Sequence, residues 1–268
     1  MENELIPTLK LSLEMTDVLA KIEYNGLKIN LDTLDQIREE YETEMHELEM
    51  RLDSLARDAM GDTPINLASP DDRSMLLYSR KVADKTLWSQ VFNLGHEVRG
   101  STRKPKMRTR MRAKEFKENV RGLTRVVYKT EGQRCPDCDG EGRFHPLRKD
   151  GTLSKAVRVC KTCRGTGVLY RSTGEVAGFK LVPRNPMDVA SAGFKTDKVT
   201  LEERAPELNG AARDFAESYV RYNALRTYLS TFVEGMQNNV DENGFIHPEF
   251  MQCVTATGRL SSRNPNFQ

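Results

Sequence analysis

Two stretches of this chain have the same spacing of cysteine and glycine. Cys135-Pro-Asp-Cys138-Asp-Gly-Glu-Gly142 and Cys160-Lys-Thr-Cys163-Arg-Gly-Thr-Gly167 both read C-x-x-C-x-G-x-G, with 21 residues between Cys138 and Cys160. Each C-x-x-C turn sets two thiolates on one side and aims backbone N–H groups at the sulfurs. The glycines let the chain turn back without a clash. Four soft ligands complete one tetrahedron with no open position. The expectation is therefore one structural zinc held by Cys135, Cys138, Cys160 and Cys163, not a catalytic metal. A redox dithiol pair is the other chemistry such spacing permits. His145 lies between the two repeats and reads as a loop residue before a ligand.

A second stretch, Lys104-Pro-Lys-Met-Arg-Thr-Arg-Met-Arg112, alternates basic with other residues. Period two places Lys106, Arg108, Arg110 and Arg112 on one face of an extended strand. Such a face tracks phosphates and releases counterions, or is simply solvated. A third stretch, Val254 to Gln268, is dense in Thr, Ser, Asn, Gln and Arg, with Gly258 and Pro265 as backbone punctuation. Arg259, Arg263, Asn266 and Gln268 supply donors for minor-groove edges and phosphates. An ordinary polar tail has the same composition.

The elements that must position these groups follow from patterning. The chain has 268 residues, enough for one or two domains with a sizeable core, and 30% of them are charged. Its net charge of +2 hides a segregation: residues 1–62 hold sixteen acidic and six basic residues, residues 99–134 thirteen basic and three acidic. Only the second segment suits a polyanion. No apolar run approaches membrane-spanning length and the N-terminus lacks a signal peptide's regions, so the expected location is cytoplasmic, with no membrane partner. Cysteines in metal spacing agree with a reducing compartment.

A helix is predicted over residues 8–24, with Leu9, Leu13, Val18, Leu19 and Ile22 near helical spacing and a stop at Asn25-Gly26. Leu27 to Asn30 is extended. Asp32 then caps a long acidic helix ending near Met60-Gly61, with Met45, Leu48, Leu52 and Leu55 as its packed stripe. Ser69 or Asp71 caps a short helix. Ala211 to Met236 forms a long helix with Phe215, Tyr219, Tyr222, Leu225, Leu229 and Phe232 on its buried side. Asp241-Glu-Asn-Gly244 is a turn. Val168 to Tyr170 and Phe179 to Val182 are expected to pair as a hairpin around Ser172-Thr-Gly174, and Cys253 to pack in a core.

The order of residues in the third stretch adds a resemblance. Thr255-Ala-Thr-Gly-Arg-Leu-Ser-Ser262, Pro265, Asn266 and Gln268 are similar to the T-A-T-G-R-L-S-S-x-x-P-N-x-Q signature of family A (polymerase I-like) DNA polymerases, with Phe267 where Leu is usual. Weaker similarities lie upstream: V-L-A-K-I-E-Y-N-G-L-K-I-N-L-D-T-L, the element around Asn66 and Ser69, Phe194 to Arg204, the long helix, and Phe245-Ile-His-Pro. The resemblance covers roughly residues 8–83 and 190–268. The repeated C-x-x-C-x-G-x-G resembles the zinc region of DnaJ-type co-chaperones, although two repeats stand here in place of four and no H-P-D tripeptide is present.

The resemblance implies an α+β fold, a mostly helical polymerase thumb with the first palm strands, carrying an inserted small β-rich four-cysteine zinc ribbon. Its parts would be residues 1–83 (connecting helices and start of thumb), 84–190 (basic strand and zinc module), 191–237 (thumb helices) and 238–268 (start of palm). It implies that Arg259 reaches the minor groove near the primer terminus and that Asn266 and Gln268 contact the duplex beside it. Thr257 and Ser262 belong to the same DNA-binding set, and Arg226 contacts the backbone; for Arg226 and Arg221 a solvated helix face is the alternative. The family's two magnesium-binding carboxylates and its fingers helix do not occur in these residues. The completed enzyme, a nucleotidyltransferase of DNA replication, would bind Mg2+ through a second polypeptide bearing fingers and catalytic palm. This chain alone would be inactive. A split gene, an interrupted reading frame or a fragment each explain such an ending, and the inserted thumb module suggests a phage source. A processivity factor at the insertion is a further expected partner. The rival reading is a non-enzymatic zinc-ribbon module binding nucleic acid or a client protein, and a third is a remnant without function.

Overall fold

The computed structural model describes residues 2–94, 111–148, 151–252, 254, 255 and 257–266, with residues 2–8 as backbone only. In chain order, α1 (Glu2–Asn25) leads through β1 (Leu27–Lys28) into α2 (Leu31–Met60). Next come α3 (Pro70–Tyr78), β2 (Arg80–Val82), α4 (Lys85–Val91), α5 (Ala113–Leu123) and β3 (Thr124–Val126). β4 (Tyr128–Arg134), β5 (Arg143–Phe144), β6 (Arg158–Val159) and β7 (Val168–Val176) follow, then β8 (Val189–Ala190), β9 (Gly193–Phe194) and α6 (Lys198–Arg204). α7 (Gly210–Thr227) runs into a π-helical segment, Tyr228–Val233, and α8 (Glu234–Gln237). β10 (Phe245–Ile246), β11 (Glu249–Met251) and β12 (Ser261–Arg263) come last. The result is a mix of helices and small antiparallel two-stranded sheets, in keeping with the α+β expectation. Two compact units divide it: residues 1–50 with 219–268, and residues 51–218.

The first unit joins the two ends of the chain. β1 pairs with β10, Leu27 opposite Ile246. Leu34, Leu229 and Val233 are buried together, with Ile37, Tyr41 and Met45 packed on them. The expected ends of α1 and α2 hold, each stopped by a glycine with positive φ, Gly26 and Gly61. The start of α2 differs: Asn30, not Asp32, caps it, accepting from the Thr33 N–H at 3.1 Å. Asn30 is the last extended residue, so its side chain meets the free N–H groups first; Asp32 lies inside the first turn. Of the apolar positions expected to face inward on α1, only Leu19 is buried, and Leu9 and Leu13 are more than 60% exposed. On the long helix Phe232 is also turned outward, and Val233 takes the buried place. The wider π turn rotates the face away from the 3.6-residue pattern. Arg221 is held by Glu44 through two hydrogen bonds, 2.6 and 2.7 Å, which lower the Glu44 carboxyl below its usual range.

The second unit packs around an aromatic cluster. Trp88 packs against Phe92 in a tilted arrangement (4.6 Å between ring centres, 59° between planes) and meets Phe194 edge-on, and its indole N–H donates to the Ala190 carbonyl at 2.9 Å. Ser69 caps α3 as expected, and Asp84 caps α4. β2 pairs with β3, Arg80 opposite Val126. β4 pairs with β7 over nearly its whole length, from Tyr128–Val176 to Arg134–Val168. That pairing overturns the expected hairpin between residues 168–170 and 179–182. Residues 168–176 form one continuous strand, and Ser172-Thr-Gly174 marks an irregularity in register, not a reversal. The root of this ribbon is fastened to the end of α2. The Asp62 N–H donates to the Thr130 carbonyl at 2.8 Å, and the Gly132 N–H to the Asp62 carboxylate at 2.7 Å.

Candidate functional site

At the far end of the β4–β7 ribbon the two C-x-x-C turns close on each other. All four cysteine sulfurs lie within 4.8 Å of one another and are buried. Cys135 and Cys160 sulfurs are 3.8 Å apart, and those of Cys138 and Cys163 3.6 Å. A zinc–sulfur bond of about 2.3 Å gives tetrahedral edges of about 3.8 Å, so the set fits a four-thiolate metal. The Gly142 N–H points at the Cys138 sulfur (3.2 Å) and the Gly167 N–H at that of Cys163 (3.3 Å). Burial opposes ionisation of Cys163, but N–H groups of Gly167 and Gly165 outweigh it and hold the thiol at about 6. Burial pushes Cys138 up to about 12.

The two repeats are related by a local two-fold reciprocity. The Cys135 N–H donates to the Gly167 carbonyl and the Cys160 N–H to the Gly142 carbonyl, both at 2.8 Å. A methyl group on Gly167 would fall 2.1 Å from the Gly140 carbonyl oxygen, and one on Gly142 2.3 Å from that of Gly165. Both glycines also have positive φ, 75° and 72°. Only glycine satisfies both demands. Gly167→Ala should therefore cut metal retention at least as severely as loss of one thiolate, measured by metal content after dialysis against a weak chelator. Normal metal content in that variant would contradict the geometry.

His145 is exposed and its Nδ1 is bonded to the Ser154 carbonyl at 2.9 Å, which agrees with its reading as a loop residue. Sequence reasoning missed the side groups that brace the knuckles: the Arg134 Nε–H donates to the Asp139 carbonyl, and the Thr162 hydroxyl to Asp137. The polar residues at the third position of each C-x-x-C, Asp137 and Thr162, were the available signal.

The C-terminal stretch forms a second candidate site. β11 and β12 pair as Glu249–Arg263, Phe250–Ser262 and Met251–Ser261. In the connecting loop the Thr255 hydroxyl donates to the Arg259 carbonyl (2.8 Å) and the Gly258 N–H to the Thr255 carbonyl (3.1 Å). Thr257 and Arg259 are exposed on this loop, and among the described residues the Arg259 guanidinium has no partner. Arg263 is different: its Nε–H donates to Glu249 at 2.6 Å, and the Asn264 amide donates to the other carboxylate oxygen at 2.9 Å. Asn264 and Arg263 together hold the Glu249 carboxyl below its usual range. Ser262 is buried, with its hydroxyl donating to the Asn266 side chain at 3.3 Å. The hairpin is tied to α1, where the Phe250 N–H donates to the Glu23 carboxylate and the His247 imidazole to the Glu23 carbonyl.

Arg226 is exposed on α7, one turn after Tyr222. Arg112 is exposed and extended, immediately before α5. Lys106, Arg108, Arg110, Cys253, Phe267 and Gln268 lie outside the described residues. Of the expected DNA-binding residues described on this hairpin, Ser262 and Asn266 are in contact, and Thr257 and Arg259 lie on its loop. The cysteines form a separate site on the ribbon.

Residues 176–268 match the sequence profile of DNA polymerase family A. Seventy-six residues are 38% identical to DNA polymerase I of Treponema pallidum, covering 28% of this chain and 7% of that protein. DNA polymerase I of Geobacillus stearothermophilus is 36% identical over 77 residues, 28% of this chain and 8% of its own length. The matched stretch thus spans under a tenth of these curated relatives. The POL domain of Pol1 from M. smegmatis, solved in complex with DNA primer-template and dNTP, aligns over 96% of this chain and 26% of its own at 18% identity and a TM-score of 0.44. Over its C-terminal third, then, this chain is similar to family A DNA polymerases. Among the described residues no helix is long and apolar enough to cross a membrane.

Proposed function

We propose that this chain is part of a template-directed DNA polymerase of DNA replication and that it grips the primer-template duplex. The observation that carries the reading is the β11–β12 hairpin, which presents Thr257 and Arg259 on an exposed loop inside the stretch similar to family A polymerases. Arg259 donates to minor-groove acceptors, which are shared by all base pairs and so report pairing without reading sequence. Ser262 aims Asn266 at the duplex, and Gln268 continues the row. Arg226 and the row Lys106, Arg108, Arg110 and Arg112 contact phosphates. The four cysteines hold one structural zinc and shape an inserted arm that extends the DNA grip or docks a processivity factor. Magnesium and nucleotide chemistry belong to a catalytic palm and fingers outside these residues, with a second polypeptide as the partner to test.

A second reading is a non-enzymatic zinc module, favoured by the self-contained closure of the two knuckles on the ribbon. One replacement separates the two. Arg134 and Val168 are cross-strand partners, so an Asn-Gly turn can join them in place of residues 135–167. The polymerase reading expects that variant to bind primed duplex, more weakly, and to support primer extension with the product of the adjacent reading frame. Complete loss of duplex binding in a folded variant would leave only the zinc-module reading.

A further inference from the structure

The second unit carries a groove that neither the metal centre nor the hairpin uses. Its volume is about 440 Å3. The floor is apolar: Phe116 and Val120 of α5 are buried there, with Val126, Val176, Leu181 and Val182 around them. The rim is cationic: Arg80, Lys117, Arg121 and Lys180. Among the described residues no carboxylate lines it. Arg80 is engaged by the Thr124 hydroxyl at 3.0 Å. Among the described residues Lys117, Arg121 and Lys180 have no ion-pair partner, although Glu115 and Glu118 share α5 with two of them.

Two features mark this arrangement as made for a ligand. Lys117 and Arg121 stand four residues apart on one helix face, a like-charge pair that costs the isolated helix stability. Beside them, Val126 and Val182 are 37% and 66% exposed, apolar surface left in water at the mouth of the groove. We propose that this groove docks an acidic peptide segment of a partner protein, with one or two large apolar side chains seated on Phe116 and Val120 and flanking carboxylates met by Lys117, Arg121 and Lys180. Charge complementarity selects this occupant. The chain's own basic run from Arg99 to Arg112 has the wrong sign. A DNA backbone matches the rim but has nothing to place on the apolar floor. The inference stands apart from the duplex grip and does not depend on it.

The test is fluorescence anisotropy with the full chain and a labelled decapeptide alternating aspartate with phenylalanine and leucine. Two control peptides replace the aspartates by lysine or the apolar residues by alanine. Binding is expected for the first peptide alone, weakening with salt. Lys117→Glu with Arg121→Glu, and separately Val182→Asp, should each weaken it about tenfold or more. All three positions are exposed, so the fold should survive, which circular dichroism and metal content check. Binding of duplex oligonucleotide should be unchanged in these variants. Equal binding of the alanine peptide, indifference to the three substitutions, or loss of duplex binding in place of peptide binding would overturn the proposal. So would concentration-dependent self-association abolished by the same variants, which would make the occupant a second copy of this chain.

Discussion

Chelating the metal from the purified chain should unfold the arm between Arg134 and Val168 and leave the rest of the protein folded. The arm has almost no apolar core of its own. Among the described residues its buried side chains are the four cysteines, with Leu169 at its root packed against them. Leu147, Leu153, Val157 and Val159 are all more than half exposed. With zinc bound as proposed, metal–thiolate bonds would be the main cohesion, and structural zinc sites contribute about 10–16 kcal/mol of apparent folding energy. The aromatic cluster around Trp88 has no such dependence. One zinc per chain is expected on purification. After chelation, or in Cys135→Ser with Cys163→Ser, limited proteolysis should cut within residues 143–164 while the remainder stays resistant. An arm equally resistant with and without metal would sink the zinc assignment.

Arg259→Ala should weaken binding of primed duplex about tenfold or more, whereas Arg263→Ala should change it much less. A buried-edge arginine contact with DNA is worth roughly 1–3 kcal/mol. Arg259 is exposed and unengaged among the described residues, whereas Arg263 is already paired with Glu249. Composition alone treats the two arginines as equal donors; their partners separate them. The measurement is a salt titration of duplex affinity for each variant. Equal losses, or a larger loss at Arg263, would mean that the loop does not face the duplex as proposed.

The features legible in the sequence were those set by one local rule. Gly26 and Gly61 end helices because the chain there needs positive φ. Asp241 closes its turn through N–H groups of Asn243 and Phe245, as an aspartate at that position does. The repeated C-x-x-C-x-G-x-G announced a paired site because each copy supplies two thiolates and the glycines for a reversal. What was not legible depended on distant partners. The 168–176 strand pairs with β4, some forty residues earlier, so its internal Ser-Thr-Gly was misread as a turn. Phe232 was placed inward by a 3.6-residue period that the π turn interrupts. Ser262 was placed in the DNA-binding set by resemblance; its side chain is buried and its hydroxyl donates to Asn266, a contact no local pattern announces. The groove beside α5 gave no motif at all, since its lining comes from four separate stretches of chain.

The pairing of β1 with β10 bears on how this protein is made. Residues 51–218 are contiguous and can fold as they leave the ribosome, at about 5–20 residues per second. The first unit cannot: α1 and β1 are synthesised first and wait for β10 and β11, more than two hundred residues later. β11, which follows β10 directly, opens the hairpin whose loop carries Arg259. A nascent chain stalled before residue 245 would therefore have the four-cysteine arm in place and lack the loop that carries Arg259.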